Sequence, residues 1–144
     1  QRSARQVLSV FNDICLATIG DAFALADEKA RELGFRVTVA DPMVELNARG
    51  YSGGWSRPSM ARAEQYCEVG SNTASRRELA RLVQQRLREN TGRAPGRARH
   101  ADPDSTAWWI PHERGRLFYT VTVGMNDDPA IGATVRITFA LPGD

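Results

Sequence analysis

The chain has 144 residues, which fits one domain that can bury a core without extra staples. Its net charge is +2, too small to indicate a nucleic-acid partner without further evidence. No apolar run reaches the length of a membrane span, so the sequence predicts no transmembrane segment.

The basic residues are strongly biased towards arginine. Lys29 is the exception among the 19 basic residues, and all the others are Arg. This bias fits recognition of phosphate or carboxylate groups, which the guanidinium fork suits. It fits equally the codon usage of a GC-rich genome, and the abundance of Ala and Gly favours this second explanation.

The N-terminal residue and the cysteines bear on the compartment. Because the first residue is Gln1 rather than Met, we expect a periplasmic or secreted protein whose signal peptide has been removed. Cys15 and Cys67 are too far apart for a CxxC redox or zinc motif. Such a pair in an exported protein is typical of one structural disulfide, which would close a loop of about 50 residues and contribute about 4 kcal/mol. The alternative is two unrelated buried thiols in a cytosolic protein.

Two helices are predicted at the start of the chain. Ser3 and Gln6 form a capping-box pattern, and apolar residues then recur at helical spacing. This stripe, which places Cys15 on the core-facing side, consists of Val7, Phe11, Ile14, Cys15 and Thr18.

The second helix is predicted to start at Asp21, as its N-cap, and to end at Gly34. Its apolar stripe consists of Phe23, Ala26, Ala30 and Leu33. Its solvated face consists of Asp27, Glu28, Lys29, Arg31 and Glu32.

The middle of the chain is predicted to hold two strands separated by a loop. Residues 35–39 alternate between apolar and polar side chains, and Asp41-Pro42 ends that strand. Residues 47–60 are rich in Gly, Ser and Pro, which predicts a loop whose large side chains are Tyr51 and Trp55. A weaker strand follows over residues 61–69. Its inward side chains are Ala63, Cys67 and Val69, and its outward side chains are Arg62, Glu64 and Glu68.

The second half of the chain is predicted to hold one helix and three strands. Ser75 and Glu78 form another capping box, and the apolar stripe that follows is Leu79, Leu82, Val83 and Leu87. Residues 91–105 are polar and contain Gly and Pro, which favours a mobile loop. A strand then begins at Trp108, and residues 116–141 show the period-2 alternation of a β-hairpin.

The predicted order is α-α-β-β-α-β-β-β within a single domain, residues 1–144. Runs of strands separated by helices favour an α+β fold, with a mostly antiparallel sheet covered on one face by helices.

Residues 10–16 (VFNDICL) resemble the opening of a family of small exported alphaproteobacterial proteins of unknown function. Those proteins carry one Cys in the first helix, a Gly-Phe after the second helix, as at Gly34-Phe35, and a Trp in a central loop, like Trp55. Their second Cys, like Cys67, precedes an Ala/Leu-rich helix. The resemblance covers roughly residues 7–90. It implies export and a disulfide between Cys15 and Cys67, and it implies no catalytic residue.

The sequence predicts no catalytic residue, no metal site and no cofactor. Residues 50–54 (GYSGG) look like the nucleophile loop of trypsin-like proteases, but those proteases place their His and Asp before the Ser. Here His100 and His112 both follow Ser52, and residues 50–54 are better explained as a flexible Gly-rich loop. Each histidine has one carboxylate nearby, whereas a transition-metal site needs three or four protein ligands.

Two surfaces are candidates for partner binding. Residues 76–99 carry eight arginines against two glutamates, a net charge of +6, while the rest of the chain carries −4. This segment either attracts an anionic partner or is a solvated helix face, and it lacks the interleaved aromatic residues that favour nucleic acid. Its candidate contact residues are Arg76, Arg77, Arg81 and Arg88.

The second candidate surface is the pair Trp108-Trp109. Adjacent strand residues point to opposite faces, so one of the two must face away from the core. The outward residue is either an anchor for a partner or packed under the 91–105 loop.

Three functional hypotheses follow. The favoured one is a non-enzymatic accessory or interaction module of the bacterial envelope, with a protein partner there. The second is a small-ligand binder or enzyme with a cleft between helices and sheet near residues 47–60, using groups such as Asp41, Tyr51, Ser52 or His112. The third is a basic binder of nucleic acid, lipid headgroups or another polyanion through residues 76–99.

Overall fold

The computed structural model describes residues 3–21, 23–57, 64–91, 96–98, 105–111, 118–125 and 133–140. The helices are α1 (Ala4–Ile14), α2 (Ala26–Glu32) and α3 (Arg76–Thr91), and a 3-10 helix spans Leu16–Asp21. The strands are β1 (Arg36–Ala40), β2 (Met43–Asn47), β3 (Ser52–Ser56), β4 (Glu64–Ser71), β5 (Gly96–Ala98), β6 (Thr106–Pro111), β7 (Phe118–Met125) and β8 (Ala133–Ala140).

The described strands form one antiparallel sheet in the order β1-β2-β3-β4-β8-β7-β6-β5. The predicted α+β class and the predicted order of helices and strands are confirmed. The C-terminal hairpin is confirmed as β7 and β8, which pair with Val121 opposite Ile137 and Val123 opposite Val135. Its turn, residues 126–132, lies outside the described residues.

The three helices share one apolar core with one face of the sheet. The predicted stripe of the first helix is confirmed, because all five of its side chains are buried. The Ser3 capping box is also confirmed: the Gln6 N–H donates to Ser3 Oγ, and the Ser3 N–H donates to the Gln6 side chain. In α3, the four predicted core residues, Leu79, Leu82, Val83 and Leu87, are buried as well.

One long row of buried side chains runs across the sheet beneath the helices, beside a shorter buried row of Val123, Val135 and Val69. In register from β6 to β2, the long row consists of Trp108, Val121, Ile137, Cys67, Trp55 and Val44. Every member is at most 2% exposed. Cross-strand neighbours on one face lie close enough to pack directly, so this row, which we call the core row, forms the floor of the core.

The predicted start of the second helix is wrong. Asp21 lies in the 3-10 helix, and α2 begins at Ala26, after Leu25 as its N-cap. Between them the buried Phe23 has φ +66, a left-handed conformation that cannot continue an α-helix. The predicted end is confirmed, because Gly34 has φ +84 and the Phe35 N–H closes back on the Ala30 carbonyl.

The predicted loop over residues 47–60 is wrong where β3 runs through it. The glycines of this segment allow close approach of strands rather than flexibility. A Cβ at Gly54 would lie 2.1 Å from the Val44 carbonyl oxygen, and a Cβ at Gly53 would lie 2.2 Å from the Glu68 carbonyl oxygen. Only glycine fits where neighbouring backbones come this close. The end of the predicted loop, residues 58–60, lies outside the described residues.

Two further strands occur where none was predicted. β2 follows Asp41-Pro42 directly, and its Val44 and Leu46 are buried on the helix side. β5 lies within the predicted 91–105 loop and pairs with β6, with Arg97 opposite Trp108. Residues 92–95 and 99–104 lie outside the described residues.

The predicted disulfide is confirmed. Cys15, the C-cap of α1, is bonded to Cys67 in β4, with 5.6 Å between the two Cα atoms. Both residues are fully buried. The bond therefore fixes the end of the first helix to the centre of the sheet.

We expect the double replacement of Cys15 and Cys67 with Ala to lower the free energy of unfolding by about 4 kcal/mol, because the bridge closes a long loop in the unfolded chain. Urea denaturation of the variant and of wild type, with and without reductant, measures this loss. Reductant should weaken wild type and leave the variant unchanged. Alkylation of both thiols in unreduced, denatured wild type would contradict the bond.

Candidate functional site

Asp27 forms a polar contact between α2 and the sheet. Its Oδ1 accepts a hydrogen bond of 2.7 Å from Trp55 Nε1, and its Oδ2 accepts one of 2.5 Å from Arg57 Nη2. The Asp27 side chain is 13% exposed, so the prediction that it lies on a solvated face is wrong. Trp55, expected in a loop, is a fully buried residue of β3.

The protonation of Asp27 depends on these two partners. Burial raises the pKa of its carboxyl, but the hydrogen bonds from Arg57 and Trp55 and the charge of Arg57 outweigh burial. The pKa therefore lies below its ordinary value of 3.8. A carboxyl with a depressed pKa stabilises the fold above its unfolded pKa, and this contribution is lost as pH falls through the folded pKa.

The change Asp27→Asn should lower the free energy of unfolding at pH 7 by about 1–2 kcal/mol. The neutral amide lacks the negative charge that strengthens the hydrogen bonds from Trp55 and Arg57. The difference from wild type should shrink as pH falls below 3.8. Denaturation across a pH series measures both effects. Glu28→Gln, one position along on the exposed face of α2, is the control and should change little; an equal loss in both variants would contradict a specific role for Asp27.

The second face of the sheet carries no helix among the described residues. It shows polar and aromatic side chains in cross-strand rows. One row consists of Trp109, Thr120, Thr138 and Tyr66, and the next consists of Ala107, Thr122, Arg136, Glu68, Gly54, Glu45 and Thr38. The Arg136 guanidinium lies 4.3 Å from the centroid of the Tyr66 ring, a cation–π contact. We call this surface the helix-free face.

A cleft of about 550 Å³ lies over β1–β4, mostly on the helix-free face. Its lining includes Tyr51, Ser52, Tyr66, Glu45 and Glu68. Two of the groups proposed from sequence, Tyr51 and Ser52, are therefore at a cleft. This cleft does not lie between the helices and the sheet, where, over the described residues, buried side chains of the core row fill the space.

Asp41, a third group proposed for the cleft, does not line it. Asp41 is an exposed residue of the β1–β2 turn, and its Oδ1 lies 3.8 Å from Arg57 Nη1. His112 and His100 lie outside the described residues. Across the residues that are described, no group of three or more His, Cys, Asp or Glu side chains is placed to hold a metal ion.

The two adjacent tryptophans have separate environments, as their alternation predicts. Trp108 is 1% exposed and belongs to the core row, so its side chain is not available to a partner. Trp109 is 45% exposed on the helix-free face. Of this pair, Trp109 is the residue that a partner can reach.

The arginines of residues 76–91 lie on α3. Arg81 binds Glu78 at 2.6 Å and Arg86 lies 3.8 Å from Glu89. The hydrogen bond from Arg81 lowers the pKa of Glu78. The remaining arginines of the helix are Arg76, Arg77 and Arg88, the last two of which are exposed.

The proposed partner-binding residues therefore divide between two surfaces. α3 packs on the helix side of β7 and β8, and Trp109 lies on the opposite face of the sheet. Alternation along a strand separates these faces by the thickness of the sheet. A single small ligand cannot contact both Trp109 and α3.

None of the helices in the described ranges has both the length and the apolar character needed to cross a membrane. Comparisons with protein-family models, with curated proteins and with solved structures find no match to this chain. Function must therefore be argued from the surfaces described above.

Proposed function

We propose that this chain is a non-enzymatic interaction module of the bacterial envelope that binds a protein partner through the helix-free face around Trp109. The observation that carries the proposal is the 45% exposure of Trp109 on that face. Tryptophan is enriched among residues that dominate binding energy at protein interfaces. Its neighbours in the row, Thr120 and Thr138, are small polar residues that leave the indole accessible from above.

The disulfide supports an oxidising compartment outside the cytosol. Structural disulfides persist in oxidising compartments and are rare in the cytosol. The bond between Cys15 and Cys67 is fully buried and links two core elements, which fits a structural role rather than redox catalysis. The resemblance to small exported alphaproteobacterial proteins supports the same assignment to the periplasm or the secreted fraction.

The partner-binding role is tested with a photo-crosslinking amino acid placed at Trp109 in the native source. We expect one stoichiometric protein to be crosslinked from this position, and no protein from Leu25. Leu25 is the matched control, because it is also 45% exposed but lies at the start of α2.

A second variant separates binding from folding. Trp109→Ala should abolish recovery of that protein while the chain stays folded in a thermal melt; because about half of the indole is buried, its loss should lower the free energy of unfolding by about 1–3 kcal/mol. Crosslinking that is equal from Trp109 and Leu25, or recovery unaffected by Trp109→Ala, would contradict the proposal.

A second candidate function is small-ligand binding in the cleft over β1–β4. The observation that favours it is the size of the cleft, about 550 Å³, which lies within the range of small-molecule sites. Gly53 and Gly54 leave the floor without side chains, and Tyr51, Ser52 and Glu45 supply polar groups.

If the cleft holds a ligand, native mass spectrometry of protein purified from its source should detect an added mass. Glu45→Trp should abolish that added mass, because the indole would fill the cleft. Glu28→Trp, at an exposed position on α2, is the control and should retain it. An unchanged mass in all three proteins would contradict this function.

Polyanion binding by the arginines of residues 76–99 stays a prediction. Arg77 and Arg88 support it because both are exposed on α3. The ion pairs of Arg81 and Arg86 weaken it, because each of those charges is partly balanced by a glutamate.

A further inference from the structure

β1 is an edge of the sheet formed by the described strands. An edge strand presents unpaired N–H and C=O groups that can pair with another chain. Natural proteins protect such edges with charged side chains, especially lysine, with proline or bulges, or by making the strand very short. β1 has five residues, RVTVA, whose one charged side chain is Arg36 at its first position, whereas the opposite edge, β5, has three residues.

The core row continues into β1, where its last side chain is exposed to solvent. Val39 lies opposite Val44 and on the same side of the sheet. Val44 is 2% exposed and Val39 is 42% exposed, so burial stops at this edge. An apolar side chain at the end of a buried row becomes buried if one more strand is added.

A second exposed apolar side chain lies near this edge. The described residues include four large apolar side chains that are exposed: Leu25, Leu33, Val39 and Trp109. Leu33 is the C-cap of α2, the helix that packs beside β1, and precedes that strand by three residues, whereas Leu25 lies at the other end of the helix. Clustering of such residues marks an interaction surface more than isolated exposure does.

We propose that two copies of this chain associate through β1, which pairs with β1 of the second copy in an antiparallel arrangement about a twofold axis at Thr38. This register places Val37 of each copy opposite Val39 of the other, on the helix side. The two sheets then form one continuous sheet, with all helices on the same face.

The charges at the two ends of β1 favour a second copy over an unrelated strand. Arg36 begins the strand and Asp41 follows its last residue, and both are exposed. In the antiparallel register, Arg36 of each copy lies beside Asp41 of the other at both ends. A self-complementary patch of this kind is what a twofold interface requires.

The first test is sedimentation of the full chain over a concentration series. We expect a reversible dimer, and we expect Val39→Lys to raise the dissociation constant by roughly tenfold or more, because it places an ammonium group among apolar side chains. Trp109→Lys is the matched control, at an apolar residue of similar exposure on another surface, and should leave the dimer intact. Thermal melts confirm that each variant is folded.

The second test examines the register. Thr38→Cys should form a covalent dimer under mild oxidation, because the two new thiols face each other across the twofold axis at cross-strand distance. Trp109→Cys should not. Arg36→Glu should weaken the dimer, because it places a second carboxylate beside Asp41 of the other copy.

Three results would overturn the proposal. The first is a wild-type chain that sediments as a monomer at every concentration. That result would overturn the dimer even if β1 were found to pair with a strand of another protein. The second is a dimer unaffected by Val39→Lys. The third is crosslinking of Trp109→Cys in preference to Thr38→Cys.

Discussion

The helix layer is fixed to the sheet at two adjacent points, Cys67 and Trp55. These residues lie directly opposite each other in β4 and β3. Cys67 is bonded covalently to Cys15 at the end of α1, and Trp55 is hydrogen-bonded to Asp27 in α2. The first two helices are therefore attached to neighbouring positions of the core row, one by a disulfide and the other by a buried polar contact.

On the opposite face of the sheet from these two attachment points, the shape of the helix-free face depends on how closely neighbouring strands approach each other. Gly53 and Gly54 immediately precede Trp55 in the sequence, and each lies against a neighbouring backbone where a side chain would not fit. The same short segment thus provides the bulkiest core residue on one face and a bare floor on the other. The cleft over β1–β4 and the fixed position of α2 are consequences of one local sequence, Gly-Gly-Trp.

The sequence predicts the elements whose signals are local and regular. The capping box at Ser3, the helical stripe around Phe11 and the alternation of β7 and β8 each follow from a period that packing preserves. Gly34 is predictable as a helix end because the required backbone conformation suits glycine. The disulfide is predictable because the chain has two cysteines, and an isolated pair of this spacing is typical of one structural disulfide.

The sequence does not predict what depends on distant partners. β3 appears as a loop because glycine usually signals flexibility, and the need for close strand approach becomes visible only once β2 and β4 are in place. Asp27 appears solvated because it follows the charged pattern of its helix, and its partners are 28 and 30 residues away. Arg57 directly follows β3 and lies two positions after Trp55, a spacing that places both on one side of an extended chain and is the one local hint of this site.

The separation of Trp109 from the arginines of α3 likewise depends on tertiary structure. The alternation of Trp108 and Trp109 predicts that one is buried, but not which one. That choice depends on the register of β6 against β7, which puts Trp108 opposite the buried Val121. The position of α3 on the other side of the sheet separates its arginines from Trp109, and no pattern within either segment indicates this.

The three tryptophans give the protein built-in optical reporters. Trp55 and Trp108 are shielded from water, and the indole of Trp55 donates to a carboxylate, whereas Trp109 meets solvent. A soluble quencher of fluorescence therefore reaches one emitter in the native state and all three after unfolding. Occupancy of the helix-free face and integrity of the core can consequently be followed separately in the unlabelled protein.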